Sequence, residues 1–547
     1  MSQQLFARSG GVSALANTSA LLLSLVFAPL TMIAGPVASF NLANLLAPVT
    51  SGVALFLAAG RVTRLFLVRV IAGALYAFSP FMLRNTVIGH LQLTWAFYPP
   101  LVFLLVMKLI SDPKARAVKI GVQLGILTIL QFFIGMETIA LTGIAGAVAA
   151  LVALTMAPRR VLRLWQPLVR ALTPAAAVAG LALAYPLWVF SFGPQHVEGP
   201  LVVGTGAPLG AIVNPGTGLH QSNAAEQAVG YLGAGGPTVA YLGVALLVFL
   251  ALSVPVWRSR RLGVLLAATA LLLWLISIQV TGLWHIVAGL PLLSSIVPGR
   301  LTMVIDVIVA LLLACSIEGW WILVKENSAR FAHSRAWRRL GAASLAGIAV
   351  GVLAPIAVTY TLPLATATPS VPPWFLSKAP EELPGATVLA LPFSDGLYSD
   401  SMFWQAKARF SYSLIAGWEF VPGGDHVHQQ QFSPIGGAFP VLKALSPLNP
   451  QAPPAFTQTA VGNLRRSMTE WLPLLVVVVR ASPGSTAAAG YLSSAIGRPP
   501  TFSGGVWSWQ LDALGPPPHI SDSAFRHCLD QSKSADPMSM PRCVLRT

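Results

Sequence analysis

The chain has 547 residues, of which 55% are hydrophobic and only 10% charged, with a formal net charge of +16. A soluble core does not bury that much apolar surface, so a soluble globular enzyme is excluded and an α-helical polytopic membrane protein is expected. The positive charge does not mark a nucleic-acid binder: basic residues stand in short blocks between apolar segments, and 171–257 holds no Lys or Arg. That is the signature of cytoplasmic loops rather than of a groove for phosphates.

Thr18–Gly35 is apolar but interrupted by Pro29, and reads as a span or as a helix lying at the interface. Phe40–Gly60 is a span, followed by Arg61, Arg64 and Arg69. Leu65–Leu83 and Thr94–Ile110 flank a short polar insert with Arg84, Asn85, His90 and Gln92. Trp95, Tyr98 and the pair Pro99-Pro100 place that insert, read as a loop, at headgroup level. A cation, an amide and an imidazole there suit an anionic or sugar-bearing lipid headgroup; a solvated turn whose Arg touches lipid phosphate is the alternative. Ile120–Ile134 and Thr138–Met156 form a hairpin with Glu137 at its tip. Pro174–Phe190 leads into 191–237, a long Gly- and Pro-rich segment read as an exported loop. Thr238–Val256, Leu262–Val280, Leu301–Val324 and Leu340–Leu362 complete the series. With the basic loops inside, the alternation is consistent and gives ten spans, or eleven if Thr18–Gly35 crosses.

Residues 1–362 are therefore expected as a membrane domain, 363–384 as a Pro-rich linker and 385–547 as a small extracytoplasmic α/β domain. In the last, Ala386–Leu391, Leu474–Val479 and Val506–Leu511 read as short strands, and Ala460–Leu472 has a helical pattern. Cys315 falls in an apolar segment and reads as packing. Cys528 and Cys543 are the one pair close in sequence, and a disulfide between them is expected if that region lies outside the cytoplasm.

No P-loop, HExxH, paired CxxC or nucleophile elbow occurs. Asp425, His426 and His428 have metal-ligand chemistry, but on a Gly-rich loop they read as a polar turn, so no metal site is expected. Glu137 is one acid between two apolar helices, a costly and often functional placement. It suits a general base or a partner for Arg84, against a solvated turn carboxylate. Asp306, about a turn into the span after Arg300, suits a pair with that Arg or with a polar group on another helix. His196, Glu198 and Glu226 belong to an exported surface of carboxylate, amide and aromatic groups, as sugar recognition uses. Solvated loop decoration is the alternative.

Taken in order, SPFMLRNTVIGHLQLTWAFYPPL, QFFIGMETIALT, FGPQHVEGP, AEQAVGYLG and LPLLSSIVPGRL, with LPFSDGLYSDSMFWQA in the tail, resemble the actinobacterial multispanning GT-C-type glycosyltransferases. The resemblance covers essentially the whole chain. It implies transfer of a sugar from a polyprenyl-phosphate carrier to an envelope glycan or protein acceptor at the outer face of the cell membrane. No covalently bound cofactor is implied. Glu137 would be the catalytic acidic group; Arg84 with His90 or Arg300 would receive the lipid phosphate; Gln92 would bind substrate; His196, Glu198 and Glu226 would contact sugar or acceptor. The family's usual base is an acid of the first exported loop. This chain begins about where that loop ends, and residues 1–40 hold no Asp or Glu. The alternative is therefore a non-catalytic or truncated relative, or a flippase-like carrier of lipid-linked glycan.

Overall fold

The computed structural model describes residues 20–112, 116–193, 206–214, 240–257, 260–278, 281–290, 296–330, 370–379, 386–394, 399–415, 420–422, 429–431, 438–445 and 458–515, with short pieces elsewhere. The chain divides into two compact units, one of 18–187 with 200–365, the other of 1–17 with 188–199 and 366–547.

The first unit is helical. The described part of Thr18–Gly35 folds as two short helices, α1 (Leu21–Val26) and α2 (Ala28–Ala34), each too short to cross a bilayer. Pro29 lies in the first turn of α2, where no intrahelical donor is lost. Gly35, at φ 85°, then turns the chain into α3 (Pro36–Ala59). A residue with a Cβ rarely adopts that backbone.

The segment expected as the next span is broken. α4 (Phe66–Ala77) and α5 (Pro80–Val87) meet at a bend of 46°. Pro80 cannot donate to the turn before it, and Ser79 caps the new helix by accepting from Met82 N at 3.3 Å. After α6 (Leu91–Thr94) and α7 (Tyr98–Ser111), α8 (Ala117–Phe132) and α9 (Met136–Met156) form the hairpin. α10 (Pro158–Phe192), α11 (Val244–Leu252), α12 (Arg260–Ser277), α13 (Trp284–Ala288) and the 3-10 turn Pro298–Leu301 lead into α14 (Thr302–Arg330).

Among the described residues five helices are long and apolar enough to cross a membrane, or six if the bent pair counts as one span, which suggests a multi-pass membrane protein. Ten were expected. α8 and the apolar part of α12 are shorter, and Thr238–Val256 yields only the nine-residue α11 because Gly243, at φ 84°, ends one segment and starts another. Most of Leu340–Leu362 lies outside the described residues.

α14 is the axis of this unit. From Met303 to Ala314 every side chain is buried, whereas α10 buries only Ala171 and Leu183. Helices approach closely where a side chain is missing, the usual device of membrane packing. A Cβ on Gly73 of α4 would stand 2.8 Å from Gly52 O of α3, and one on Gly121 of α8 would collide with Ala171 O of α10. Two indoles lock α14 to the chain after α11: Trp257 donates to Ser316 Oγ and Trp320 to Ser253 Oγ, both at 3.0 Å.

The second unit holds α15 (Pro373–Leu376), β1 (Thr387–Leu391), α16 (Asp400–Lys407), β2 (Ser413–Leu414), β3 (Phe420–Pro422), β4 (Gln429–Gln431), α17 (Phe439–Ala444), α18 (Gln458–Glu470), β5 (Leu474–Val479), α19 (Ser485–Ile496), β6 (Thr501–Ser503) and β7 (Val506–Leu511). Five strands form a mixed sheet in the order β2-β1-β5-β7-β6, parallel across β2-β1-β5 and antiparallel beyond. Leu474, Val476 and Val478 pack under α18 and α19, while Leu475, Val477 and Val479 face Trp404 and Phe375. Helices on both faces explain why β5 is apolar at every position. Trp374 and Phe375, within the stretch read as a linker, are part of this core.

Arg465 of α18 is buried. Its guanidinium donates to Ile496 O at 3.1 Å and to Ala495 O and Gly515 O, so it serves carbonyls at the end of α19. Arg465→Met orphans those carbonyls. We expect it to destabilise this unit by roughly 3 kcal/mol and to lower its unfolding midpoint by several degrees. Thermal scans of the full chain in detergent, with limited proteolysis of the unit, measure both.

Candidate functional site

The polar insert, expected as a loop, is α5, a tight turn and α6. Arg84 and Asn85 are buried. Gly89, at φ 77°, reverses the chain after α5. His90 N then donates to Asn85 O at 2.8 Å. The two side chains also meet, with His90 Nδ1 3.0 Å from Asn85 Oδ1. Asn85 Nδ2 donates to Phe81 O at 2.8 Å, which leaves Oδ1 the acceptor and puts the imidazole proton on Nδ1. Nε2 is then the ring's lone-pair nitrogen.

Side chains of α3 and α4 hold the insert by its carbonyls. Asn44 Nδ2 donates to Thr86 O at 2.7 Å, Ser51 Oγ to Thr94 O at 2.7 Å and Tyr76 OH to Ala96 O at 2.9 Å. Trp95 returns the contact by donating to Ala43 O at 3.0 Å.

The α8–α9 hairpin closes on the same insert. A Cβ on Gly135 would lie 2.8 Å from Gln92 Cβ, and Thr138 Oγ1 donates to Gln92 O at 3.3 Å. Gln92 is thus seated through its backbone against the hairpin tip. Glu137, just before Thr138, stands in the first turn of α9, where free N–H groups favour a carboxylate. Arg300, in the 3-10 turn before α14, donates to Glu137 Oε2. Their side chains are 24% and 18% exposed, within reach of a ligand. Glu137 Oε1 is buried and has no hydrogen-bond partner among the described residues.

Burial, together with the guanidiniums of Arg300 and Arg84, pushes the His90 imidazole down to about 4. At neutral pH the cluster therefore holds two cations, one carboxylate and a neutral imidazole, a net single positive charge. It is suited to an anion, with one acceptor to spare for a hydroxyl.

The structure brings together Glu137, Arg300, His90, Arg84 and the backbone of Gln92. The partner of Glu137 is Arg300 and not Arg84, and Asp306 is not paired with Arg300. His196 lies in the other unit, where its N–H and its Nδ1 both meet Gly193 O, at 3.0 and 2.9 Å. Glu198, Glu226, Cys528, Cys543, Asp425, His426 and His428 lie outside the described residues. Sequence reading missed Gln131, fully buried beside the tip with Oε1 unpartnered, and Asn44. An amide inside a largely apolar helix was the available signal. Among the described residues no group of three or more His, Cys, Asp or Glu is placed to hold a metal ion.

No family model matches the chain, and neither a curated protein nor a solved structure does.

In the unfolded chain His90 titrates near 6.5, and in the fold near 4. Between those values the unfolded state binds the extra proton, so stability present above pH 6.5 is lost as pH falls, by at most about 3 kcal/mol. His90→Gln removes this part of the acid sensitivity. Unfolding midpoints of both proteins from pH 7.5 to 4.5 check it: the curves should converge as pH falls, and parallel curves would dismiss the effect.

Proposed function

We propose that the chain is a membrane glycosyltransferase that moves a sugar from a polyprenyl-phosphate carrier to an envelope acceptor, with the cluster around Glu137 and Arg300 as its reacting centre. The observation that carries this reading is the gathering of two guanidiniums and a neutral imidazole beside a half-paired carboxylate at the ends of apolar helices. Departure of a lipid phosphate needs fixed cations and donors. Attack by a hydroxyl needs a base within reach. The family resemblance of the sequence supports the same chemistry.

In this reading Arg300 stays paired with Glu137 until the carrier arrives. The phosphate draws Arg300 and Arg84 to itself and frees Glu137. The acceptor oxygen attacks the anomeric carbon as the bond from that carbon to the phosphate oxygen breaks. The hydroxyl proton passes to Glu137, and the bond's electron pair leaves with the phosphate. One displacement inverts the anomeric centre. The chain lies in the cell membrane, with the cluster on the exported side and the C-terminal unit outside the cytoplasm. His196, Glu198 and Glu226 remain assigned to sugar or acceptor by the sequence resemblance alone.

The second reading is a flippase-like carrier of lipid-linked glycan. The broken helix α4–α5 beside the buried acid Asp306 favours it, because carriers use interrupted helices near intramembrane charge.

Membranes containing the chain, supplied with radiolabelled polyprenyl-phosphate sugars, separate the two. Glu137→Gln and Arg300→Ala should each lower transfer at least about 100-fold, with Arg300→Lys intermediate. Binding of farnesyl phosphate, followed by tryptophan fluorescence, should weaken in Arg300→Ala and survive in Glu137→Gln. Undiminished transfer in both variants would take the pair out of the reaction, and lipid movement across liposomes without transfer would favour the carrier.

A further inference from the structure

Of the long apolar helices α10 is the least covered by protein, and its two ends differ in character. Its charged residues are Arg159, Arg160, Arg163 and Arg170, all near its start, and no acid accompanies them. From Ala171 to Phe192 it carries no charge.

The helix is also longer than a membrane requires. Its 35 residues extend about 52 Å, whereas a bilayer core takes up about 20 residues. The surplus belongs to the arginine end. α8 runs beside α10 in the same direction, since Gly121 lies against Ala171 and Gly125 against Ala175. Ala117 and Ile120 of α8 share one apolar cluster with Leu168 and Ala171. Arg116 and Lys119, both exposed, therefore stand level with the stretch just before Ala171. Cations on two neighbouring helices mark that level as the headgroup zone, and Pro158–Arg170 continues beyond it.

This surplus stretch has three faces. Leu168 and Ala171 serve the contact with α8. Arg159, Arg163 and Arg170 lie within about 40° of one another around the helix axis. Leu162, Trp165 and Val169 form a further stripe about a third of a turn from the arginines. Both of these stripes are bare among the described residues, with Leu162 69% and Trp165 67% exposed. Indole and leucine past the end of a span are unfavourable in water, and guanidiniums are unfavourable in hydrocarbon. Both are accommodated at the boundary between headgroups and acyl chains. A second copy of the helix in that position would set like charges against each other, whereas phosphate complements them.

We propose that Pro158–Arg170 is a binding site for anionic glycerophospholipid. The lipid phosphates rest on the stripe of Arg159, Arg163 and Arg170, whose forked donors match phosphate oxygens. The acyl chains lie against Leu162, Trp165 and Val169. The inference stands without the transferase reading.

The test uses the full chain in nanodiscs of mixed phosphatidylglycerol and phosphatidylcholine, with bromine on the acyl chains of one lipid or the other. Bromine quenches tryptophan on contact, and wild type minus Trp165→Phe isolates the signal of Trp165. At equal bromine content, brominated phosphatidylglycerol should quench Trp165 several-fold more than brominated phosphatidylcholine. The preference should vanish in the triple variant Arg159→Gln, Arg163→Gln, Arg170→Gln. It should persist in the control Arg61→Gln, Arg64→Gln, which removes two exposed cations elsewhere. In the wild type it should shrink as sodium chloride is raised, a readout that serves even if the triple variant does not fold. Equal quenching by the two lipids at low salt would overturn the proposal. So would absence of quenching, which would mark a protein cover over Trp165. An equal loss in the control would also overturn it, as the mark of net charge alone.

Discussion

Inside apolar surroundings a backbone carbonyl without a donor is expensive, and the chain between α5 and α7 has several that helix geometry does not serve. Asn44, Ser51 and Tyr76 supply donors from neighbouring helices. Leu22 N adds one to the hairpin junction, meeting Phe133 O at 3.0 Å. This accounting allows an irregular segment to be buried at all. It also fixes where Arg84 and His90 stand, since both belong to that segment. The site follows from the hydrogen-bond debt of a few peptide groups.

The charges are arranged on elements of opposite character. Glu137 begins a helix, where the peptide dipoles favour an anion, whereas Arg300 ends a tight turn leading into the most buried helix of the unit. Burial first, and the two nearby guanidiniums after it, keep His90 from taking a proton. The imidazole therefore keeps a donor at Nδ1, spent on Asn85, and a lone pair at Nε2. A neutral histidine among arginines can orient a polar ligand without adding to the charge that holds it.

Much of the fold was legible in residue patterns. Leu474–Val479 and Val506–Leu511 form strands at the expected residues, because an unbroken apolar run covered on both faces and a clean alternation are local facts. The hairpin helix α9 and the span α3 begin and end within a few residues of expectation for the same reason. Breaks were harder. Ser79-Pro80 reads as part of one apolar segment, since a window of hydropathy does not register a bend. The linker reading missed Trp374 and Phe375, whose partners lie in α16 and β5. Arg84, His90, Gln92, Glu137 and Arg300 were each legible as candidate residues. Which Arg meets Glu137 was not, because that partner stands 163 residues away and is chosen by packing.

The sheet of the second unit has a further consequence at its margins. Its strongest strand, β5, lies in the middle, and the outer strands are two and three residues long. Long, flat, apolar borders invite another chain to add itself and begin fibrillar growth; margins this brief offer almost no template. A run such as LLVVVV, hazardous when bare, is thereby sequestered with a partner on each side. The arrangement favours a unit that stays dispersed at high local density.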